Sequence, residues 1–339
     1  MPATQISQIG DLPLQLGGVL PDARLAYITR GTLAPDGRNG VLLTHGYTSS
    51  HLFIEGGAGS SEGPWGALVG PGSAIDTDKY FVVSSNMLGS SYGSTAPRSR
   101  NPATGRAYGP DFPAITLSDI VGAQRRLLDR LGVRELAAVV GPSYGGFQAF
   151  AWGVEFPDFV RALVPVVSAP ARPARMDVDA MERRMAADPN WNGGHYYEAG
   201  GIVGTMTAMR MDTLRRYGIE AVLAGRFPER AAREAEIHRV ASAWANQFDG
   251  HSMLALGKAA NLFDAASGFA RLRARVLYVL SRTDVLFPPS IAPAVMAALK
   301  GAGVDARYEE IDSENGHLAS GADAQKWAPA LGRFMRELG

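Results

Sequence analysis

Cysteine is absent from this 339-residue chain. That excludes a disulfide framework, a thiolate metal site and a cysteine nucleophile. Net charge is absent as well, since 33 basic residues balance 33 acidic ones, and nothing points to nucleic acid or an anionic membrane surface. No apolar run approaches the ~20 residues of a membrane span. The N-terminus lacks a basic segment followed by a long apolar core, so no signal peptide is read. A soluble cytoplasmic protein is the expectation. Histidine is scarce, at six residues; His45 and His51 lack a third ligand at metal spacing, and no His-Glu-x-x-His occurs. Gly56-Gly57-Ala58-Gly59 has no Gly-Lys-Ser/Thr behind it, so it does not read as a phosphate loop. No metal and no organic cofactor is expected.

Glycine, by contrast, is plentiful at 40 residues. Chance alone should supply about a few tenths of a Gly-x-Ser-x-Gly match in such a chain. Three occur, centred on Ser61, Ser91 and Ser143. The first lies in a Gly/Ser-rich loop, and the second leads into Ser94-Thr95-Ala96-Pro97, which is not helical. Only Gly141-Pro142-Ser143-Tyr144-Gly145 stands between an apolar strand-like run, residues 136–140, and a helical pattern over 148–156. A serine on such a turn has its hydroxyl pointing out of the sheet. The Tyr144 amide, at the start of the helix, faces any negative charge that forms beside it.

Around this turn, short apolar runs alternate with helical patterns. Strands are read at residues 12–16, 23–30, 41–45, 80–84, 136–140, 162–168, 275–281 and 305–311. Helices are read at 117–131, 291–299 and 322–338. Such alternation implies a mostly parallel sheet covered on both faces, an α/β fold. Between about 177 and 269 the pattern is helical and rich in Met, Arg and Ala, with no clear strand. The expected organisation is a core in two parts, residues 1–170 and 271–339, with a helical lid inserted at 171–270.

A serine hydroxyl needs a base within hydrogen-bond reach, itself oriented by a carboxylate. On this fold the chain order is Ser, Asp/Glu, His. His45 and His51 precede the serine, while His195, His238 and His251 fall in the helical block. His317 alone follows the last strand, which makes it the base by elimination. Asp284 lies after the penultimate strand and is the expected carboxylate; Asp312 and Glu314 compete, but read as solvated loop acids. The oxyanion donors are the backbone amides of Tyr144 and of Tyr47, which follows the first central strand.

Longer stretches extend the pattern. Gly70-Pro71-Gly72-Ser73-Ala74-Ile75-Asp76-Thr77-Asp78-Lys79-Tyr80-Phe81, Asn86-Met87-Leu88-Gly89, Asn101-Pro102-Ala103-Thr104-Gly105 and Tyr108-Gly109-Pro110-Asp111-Phe112-Pro113 resemble the homoserine O-acetyltransferase family of α/β-hydrolases. The resemblance runs from about residue 45 to the end. It implies a helical lid, an acyl-serine ping-pong mechanism and homodimers paired through the lid helices. It also implies that Arg210 grips an acceptor carboxylate. Two departures stand out: Leu318 follows the base where the family has an aspartate for the homoserine ammonium, and Ala208-Met209-Arg210-Met211 replaces Thr-Tyr-Arg-Ser. Met209, Arg210 and Leu318 are therefore the expected substrate contacts.

An apolar residue where an ammonium needs a partner disfavours homoserine. The expectation is an ester hydrolase acting on a small, mostly apolar ester, in a pocket supplied with Met181, Met185, Met206, Met209, Met211 and Met253. The alternative is an acyl-CoA-dependent O-acyltransferase with an alcohol acceptor. A binding protein built on the same fold would have no need of the Ser/Asp/His set.

Overall fold

The computed structural model describes residues 3–56, 63–172 and 174–338. The Ser61 motif and Gly57-Ala58-Gly59 lie outside the described residues, apart from Gly63 at the motif's end. Eight strands form one sheet: β1 (Gln5–Pro13), β2 (Val19–Arg30), β3 (Gly40–Thr44), β6 (Phe81–Ser85), β7 (Leu136–Pro142), β8 (Ala162–Val166), β9 (Arg275–Ser281) and β10 (Ala306–Ile311). Their spatial order is β1-β2-β6-β3-β7-β8-β9-β10, while β4 (Val69–Gly70) and β5 (Ile75–Asp76) pair apart from it. β2 runs antiparallel to β1 and β6, and every other pairing in the large sheet is parallel.

Burial explains the pattern in the sequence. β3, β7 and β8 are buried at every position, as parallel strands covered on both faces should be, and they read as unbroken apolar runs. β1 alternates between exposed and buried positions. Its true span lies upstream of the expected 12–16, because the Leu14 amide turns back onto the Gly18 carbonyl at 3.0 Å.

α1 (Leu117–Arg130) starts with a capping box in which Thr116 and Asp119 satisfy each other's backbone amides. α2 (Tyr144–Glu155) begins directly after Ser143, earlier than the expected 148, because close packing demands Gly145 and Gly146 there in spite of their low helix propensity. α3 (Val178–Ala186), α4 (Val203–Tyr217), α5 (Ile219–Ala224), α6 (Arg230–Ala245) and α7 (Gly250–Asn261) then follow β8 with no strand among the described residues. α8 (Ala292–Gly301), α9 (Ala319–Ala322) and α10 (Ala324–Arg336) complete the chain. The single helix expected over 322–338 breaks at Asp323, whose carboxylate accepts from Ser313 Oγ at 2.5 Å and Asn315 Nδ2 at 2.7 Å.

One face of the sheet is covered by α1 and α2 through Ile120, Leu127, Phe150 and Trp152. The other is covered by α10 through Trp327, Leu331 and Phe334, with Trp65 edge-on to Trp327 at 5.4 Å. Each such buried side chain contributes about 1.5–3 kcal/mol of transfer free energy. A third, smaller cluster joins Leu214, Tyr217, Ile237 and Leu318. No helix among the described residues is long and apolar enough to cross a membrane.

Candidate active site at the carboxyl edge of the sheet

In open α/β sheets, ligands bind outside the carboxyl ends of the strands. Parallel registers carry the ends of β3, β7 and β8 to one edge: Leu43 lies beside Val140, and Pro142 beside Val166. Ser281 pairs with Ile311 at the corresponding ends of β9 and β10. The segments that leave these ends carry Tyr47, Ser143, Asp284 and His317.

Ser143 adopts φ 55° and ψ −118°, a conformation rarely held by a non-glycine residue and often found at functional sites. Its surroundings enforce it. A Cβ on Gly141 would lie 2.1 Å from Thr44 Oγ1, and one on Gly145 would lie 2.2 Å from the Thr44 carbonyl oxygen. The Ser143 amide donates to the Val166 carbonyl at 2.8 Å, and its own carbonyl accepts from Ser168 Oγ at 2.7 Å. The serine is thus locked on both sides, and Tyr144 opens the helix with an amide that has no acceptor within α2.

His317 Nδ1–H donates to Asp284 Oδ2 at 2.8 Å, with both side chains buried. Asp284 Oδ1 accepts the Leu286 amide at 2.8 Å, which fixes the carboxylate. The two loops are clamped by residues that sequence reasoning did not single out. Thr283 Oγ1 donates to the Ser313 carbonyl at 2.8 Å and accepts the Gly316 amide at 3.0 Å. Asp323 holds Ser313 and Asn315 from behind. The competing acids face solvent: Asp312 and Glu314 both pair with Arg282.

The His317 ring lies 4.7 Å from Tyr217 and 5.8 Å from Phe287, centroid to centroid. Both neighbours line a cavity of about 580 Å³ that also includes Ser143, Tyr47 and Tyr144. Ser91 is elsewhere, its hydroxyl accepting the amide of Asp249 at the N-cap of α7 at 2.9 Å.

His45 is fully buried, and burial lowers its pKa from 6.5 to about 4, so it is neutral. Its Nδ1–H donates to the Gly46 carbonyl at 2.9 Å. The Gly46–Tyr47 peptide is planar and trans, so pinning its carbonyl also fixes the direction of the Tyr47 amide. The Tyr47 and Tyr144 rings stack at 5.8 Å. Their hydroxyls donate to the Met253 and Leu256 carbonyls of α7, at 2.5 and 3.1 Å. Burial drives both phenol pKa values up, which keeps them neutral donors. The helical block is thereby tied to Tyr47 and Tyr144.

The expected substrate contacts lie elsewhere. Leu318 is buried in the cluster with Leu214 and Tyr217, where it anchors α4–α6 against the His317 loop. Met209 is buried in the main core. Arg210 donates to Thr48 Oγ1 at 2.9 Å and lies over the Trp244 ring at 5.0 Å. None of the three is among the residues lining the cavity. Of the six methionines expected there, Met181 and Met253 line it, while Met185 and Met206 fill the core. The lining instead includes Arg172, Arg175 and Arg216. Burial pulls the Arg172 pKa below the usual arginine value.

Comparison with known proteins agrees with this architecture. The profile of the alpha/beta hydrolase fold matches residues 52–321. The homoserine O-succinyltransferase of Methylibium petroleiphilum is 38% identical over 337 residues, covering 91% of this chain and 87% of its own. The homoserine O-acetyltransferase of Symbiobacterium thermophilum is 37% identical over 356 residues, covering 96% of this chain and 92% of its own. This chain belongs to the homoserine O-acetyltransferase family of α/β-hydrolases. Among solved structures, that of esterase E22 superposes with a TM-score of 0.88 at 25% identity, covering 99% of this chain and 100% of that one. The family therefore has esterases and acyltransferases among its structural and sequence neighbours.

Proposed function

We propose that this family member is an O-acyltransferase that carries the acyl group on Ser143 and delivers it to an alcohol. The observation that carries the acyl-serine chemistry is the buried His317–Asp284 pair, fixed at 2.8 Å at the sheet edge that holds a strained Ser143. Identities of 37–38% to transferases over nine-tenths of the chain support an acyl-thioester donor.

His317 Nε2 takes the Ser143 hydroxyl proton as Oγ attacks the donor carbonyl. The oxyanion is met by the amides of Tyr47 and Tyr144. Collapse expels the thiol, which leaves with the proton held by His317, and acyl-Ser143 remains. An acceptor hydroxyl, deprotonated in turn by His317, then attacks the acyl carbonyl and releases serine. Asp284 holds the imidazole in the tautomer with Nδ1 protonated and stabilises the imidazolium. The helical block between β8 and β9 acts as a lid over these steps, and its outer helices are the surface for a homodimer.

A second reading, ester hydrolysis, is favoured by Leu318. This buried apolar residue stands where the family resemblance places an aspartate, so nothing there receives the ammonium of homoserine. In that reading water replaces the alcohol and all catalytic roles are unchanged. The test is to incubate purified protein with acetyl-CoA, with and without neutral alcohols and homoserine, following free thiol and acylated product. Transfer to an alcohol faster than loss of acetyl to water supports the transferase. Hydrolysis that no alcohol diverts supports the esterase. Rapid acetylation of homoserine would contradict the argument from Leu318.

A further inference from the structure

The backbone ladder between β9 and β10 ends before it reaches the Asp284–His317 pair. Its last pairing joins Ser281 to Ile311, and the Arg282 amide adds a bond to the Ile311 carbonyl at 3.1 Å. Asp284 and His317 lie beyond that point, on separate loops. Thr283 carries the connection on with its side chain. Its Oγ1 donates to the Ser313 carbonyl at 2.8 Å and accepts the Gly316 amide at 3.0 Å. Thr283 directly precedes Asp284, and Gly316 directly precedes His317. The Thr283–Gly316 bond and the 2.8 Å Asp284–His317 bond are thus neighbouring rungs across the same two segments. Planar peptides join the rungs, so a shift in one is passed to the other.

The histidine loop is also held from behind. Ser313 Oγ donates to Asp323 Oδ2 at 2.5 Å and accepts the Asn315 amide at 2.9 Å, while Asn315 Nδ2 donates to the same carboxylate oxygen at 2.7 Å. Asp323 is buried at the break between α9 and α10. A buried carboxylate is costly unless partners satisfy it, and here one loop supplies two of them. The end of α4 presses against that loop. A Cβ on Gly316 would lie 3.0 Å from the Tyr217 carbonyl oxygen, and one on Gly218 would lie 3.0 Å from the Asn315 carbonyl oxygen. Tyr217 itself packs its ring 4.7 Å from that of His317. Hydrogen bonds to Thr283 and Asp323, together with close packing against α4, therefore restrict where the His317 loop can sit.

We propose that Thr283 and Asp323 are positioning residues for the base: they set the distance and direction of His317 relative to Asp284 without touching the substrate. The kinetic consequence rests on the acyl-Ser143 reading, whereas the geometry of the pair does not. Misplacing a reacting group by about 1 Å costs ~10²-fold in rate. Arg282 supplies the contrast. It pairs with Asp312 and Glu314 across the same two loops, but all three side chains are exposed, and exposed ion pairs hold geometry weakly.

Thr283→Val keeps the side chain's shape and removes both of its hydrogen bonds. With p-nitrophenyl acetate its kcat should fall about 10–10²-fold at unchanged KM. Proton NMR adds a readout that does not depend on turnover. The far-downfield resonance of the proton shared by His317 Nδ1 and Asp284 should shift or vanish in the variant. Thr283→Ser, which keeps the hydroxyl, should restore both rate and resonance. Asp323→Ala should act in the same direction, and it decides the matter alone if Thr283→Val does not fold. Arg282→Gln should change neither readout. Wild-type rate and resonance in the Thr283 and Asp323 variants would overturn the proposal. A loss of rate with the resonance intact would overturn it too, because that marks a merely structural role. A resonance that responds as predicted in a protein that never acylates Ser143 would uphold the positioning role and defeat the acyl-serine reading.

Discussion

The floor and the wall of the cavity are built in opposite ways. At the floor, backbone decides: a Cβ on Gly141 or Gly145 would lie 2.1 or 2.2 Å from Thr44 atoms, and Ser143 is held at positive φ. His45 turns the Gly46–Tyr47 peptide, and paired loops set His317 against Asp284. At the wall, side chains decide: arginines from before α3 and from α4 meet apolar residues from the loop after β9. The floor has one arrangement that fits. The wall can change residue by residue without disturbing it. A family that shares its floor and varies its wall can keep acyl-serine chemistry while changing donor and acceptor.

The largest predicted effects fall on the floor. Ser143→Ala and His317→Ala should each lower turnover by about 10⁴-fold or more, and Asp284→Asn by ~10²–10⁴-fold, in steady-state assays with p-nitrophenyl acetate. Near-normal turnover by Asp284→Asn would break the comparison, because a loop acid would then be doing the orienting.

Next comes Gly145→Ala. Its new Cβ would meet the Thr44 carbonyl oxygen at 2.2 Å, and backbone at the elbow has nowhere to retreat. Urea unfolding should show a loss of about 3 kcal/mol or more. A loss under 1 kcal/mol would mean the elbow is softer than the floor's description requires.

Acid should also act on the floor. His45 has its pKa lowered from 6.5 to about 4, and His51 from 6.5 to about 3, both mainly through burial. The unfolded chain therefore binds more protons than the folded one between about pH 6.5 and those lower values. Stability should be full above pH 6.5 and fall as the pH drops through this window. The slope should approach about 1.4 kcal/mol per pH unit for each histidine. His45→Gln should flatten the slope; an unchanged slope would show that His45 contributes nothing to the acid response.

The smallest effect probes the joint between floor and wall. Tyr47→Phe and Tyr144→Phe each remove a hydroxyl that holds an α7 carbonyl, at a cost of about 1 kcal/mol. Hydrogen exchange should rise in α7 and not in α10. Uniform protection in α7 would uncouple the helical block from Tyr47 and Tyr144.

The same division governs what could be read from the sequence. Strand, turn and helix around Ser143 were legible because glycine is the residue such crowding admits, and apolar runs mark strands buried on both faces. His317 emerged by elimination among few histidines. The structure brings it to Asp284 as the chain order of the fold implied. The clamp made by Thr283, Ser313 and Asp323 left no signal, since short polar residues in loops look alike until their partners are known. The wall was the least legible. Arg172 and Arg175 share one short stretch, Arg216 lies far beyond them, and all read like solvated surface charges. Met185, Met206 and Met209 read like pocket residues but fill the core. Leu318 was noticed for what it replaces, yet its contacts with Leu214 and Tyr217 show that it anchors the helical block.

The central claim is that Ser143 becomes acylated. Rapid-quench mass spectrometry after mixing with acetyl-CoA or p-nitrophenyl acetate tests it most directly. One acetyl group should appear on the peptide that contains Ser143, at a rate no slower than turnover, and should persist longer in His317→Ala reacted with the activated ester. An adduct on another residue, or turnover without any adduct and undiminished in Ser143→Ala, would contradict the account.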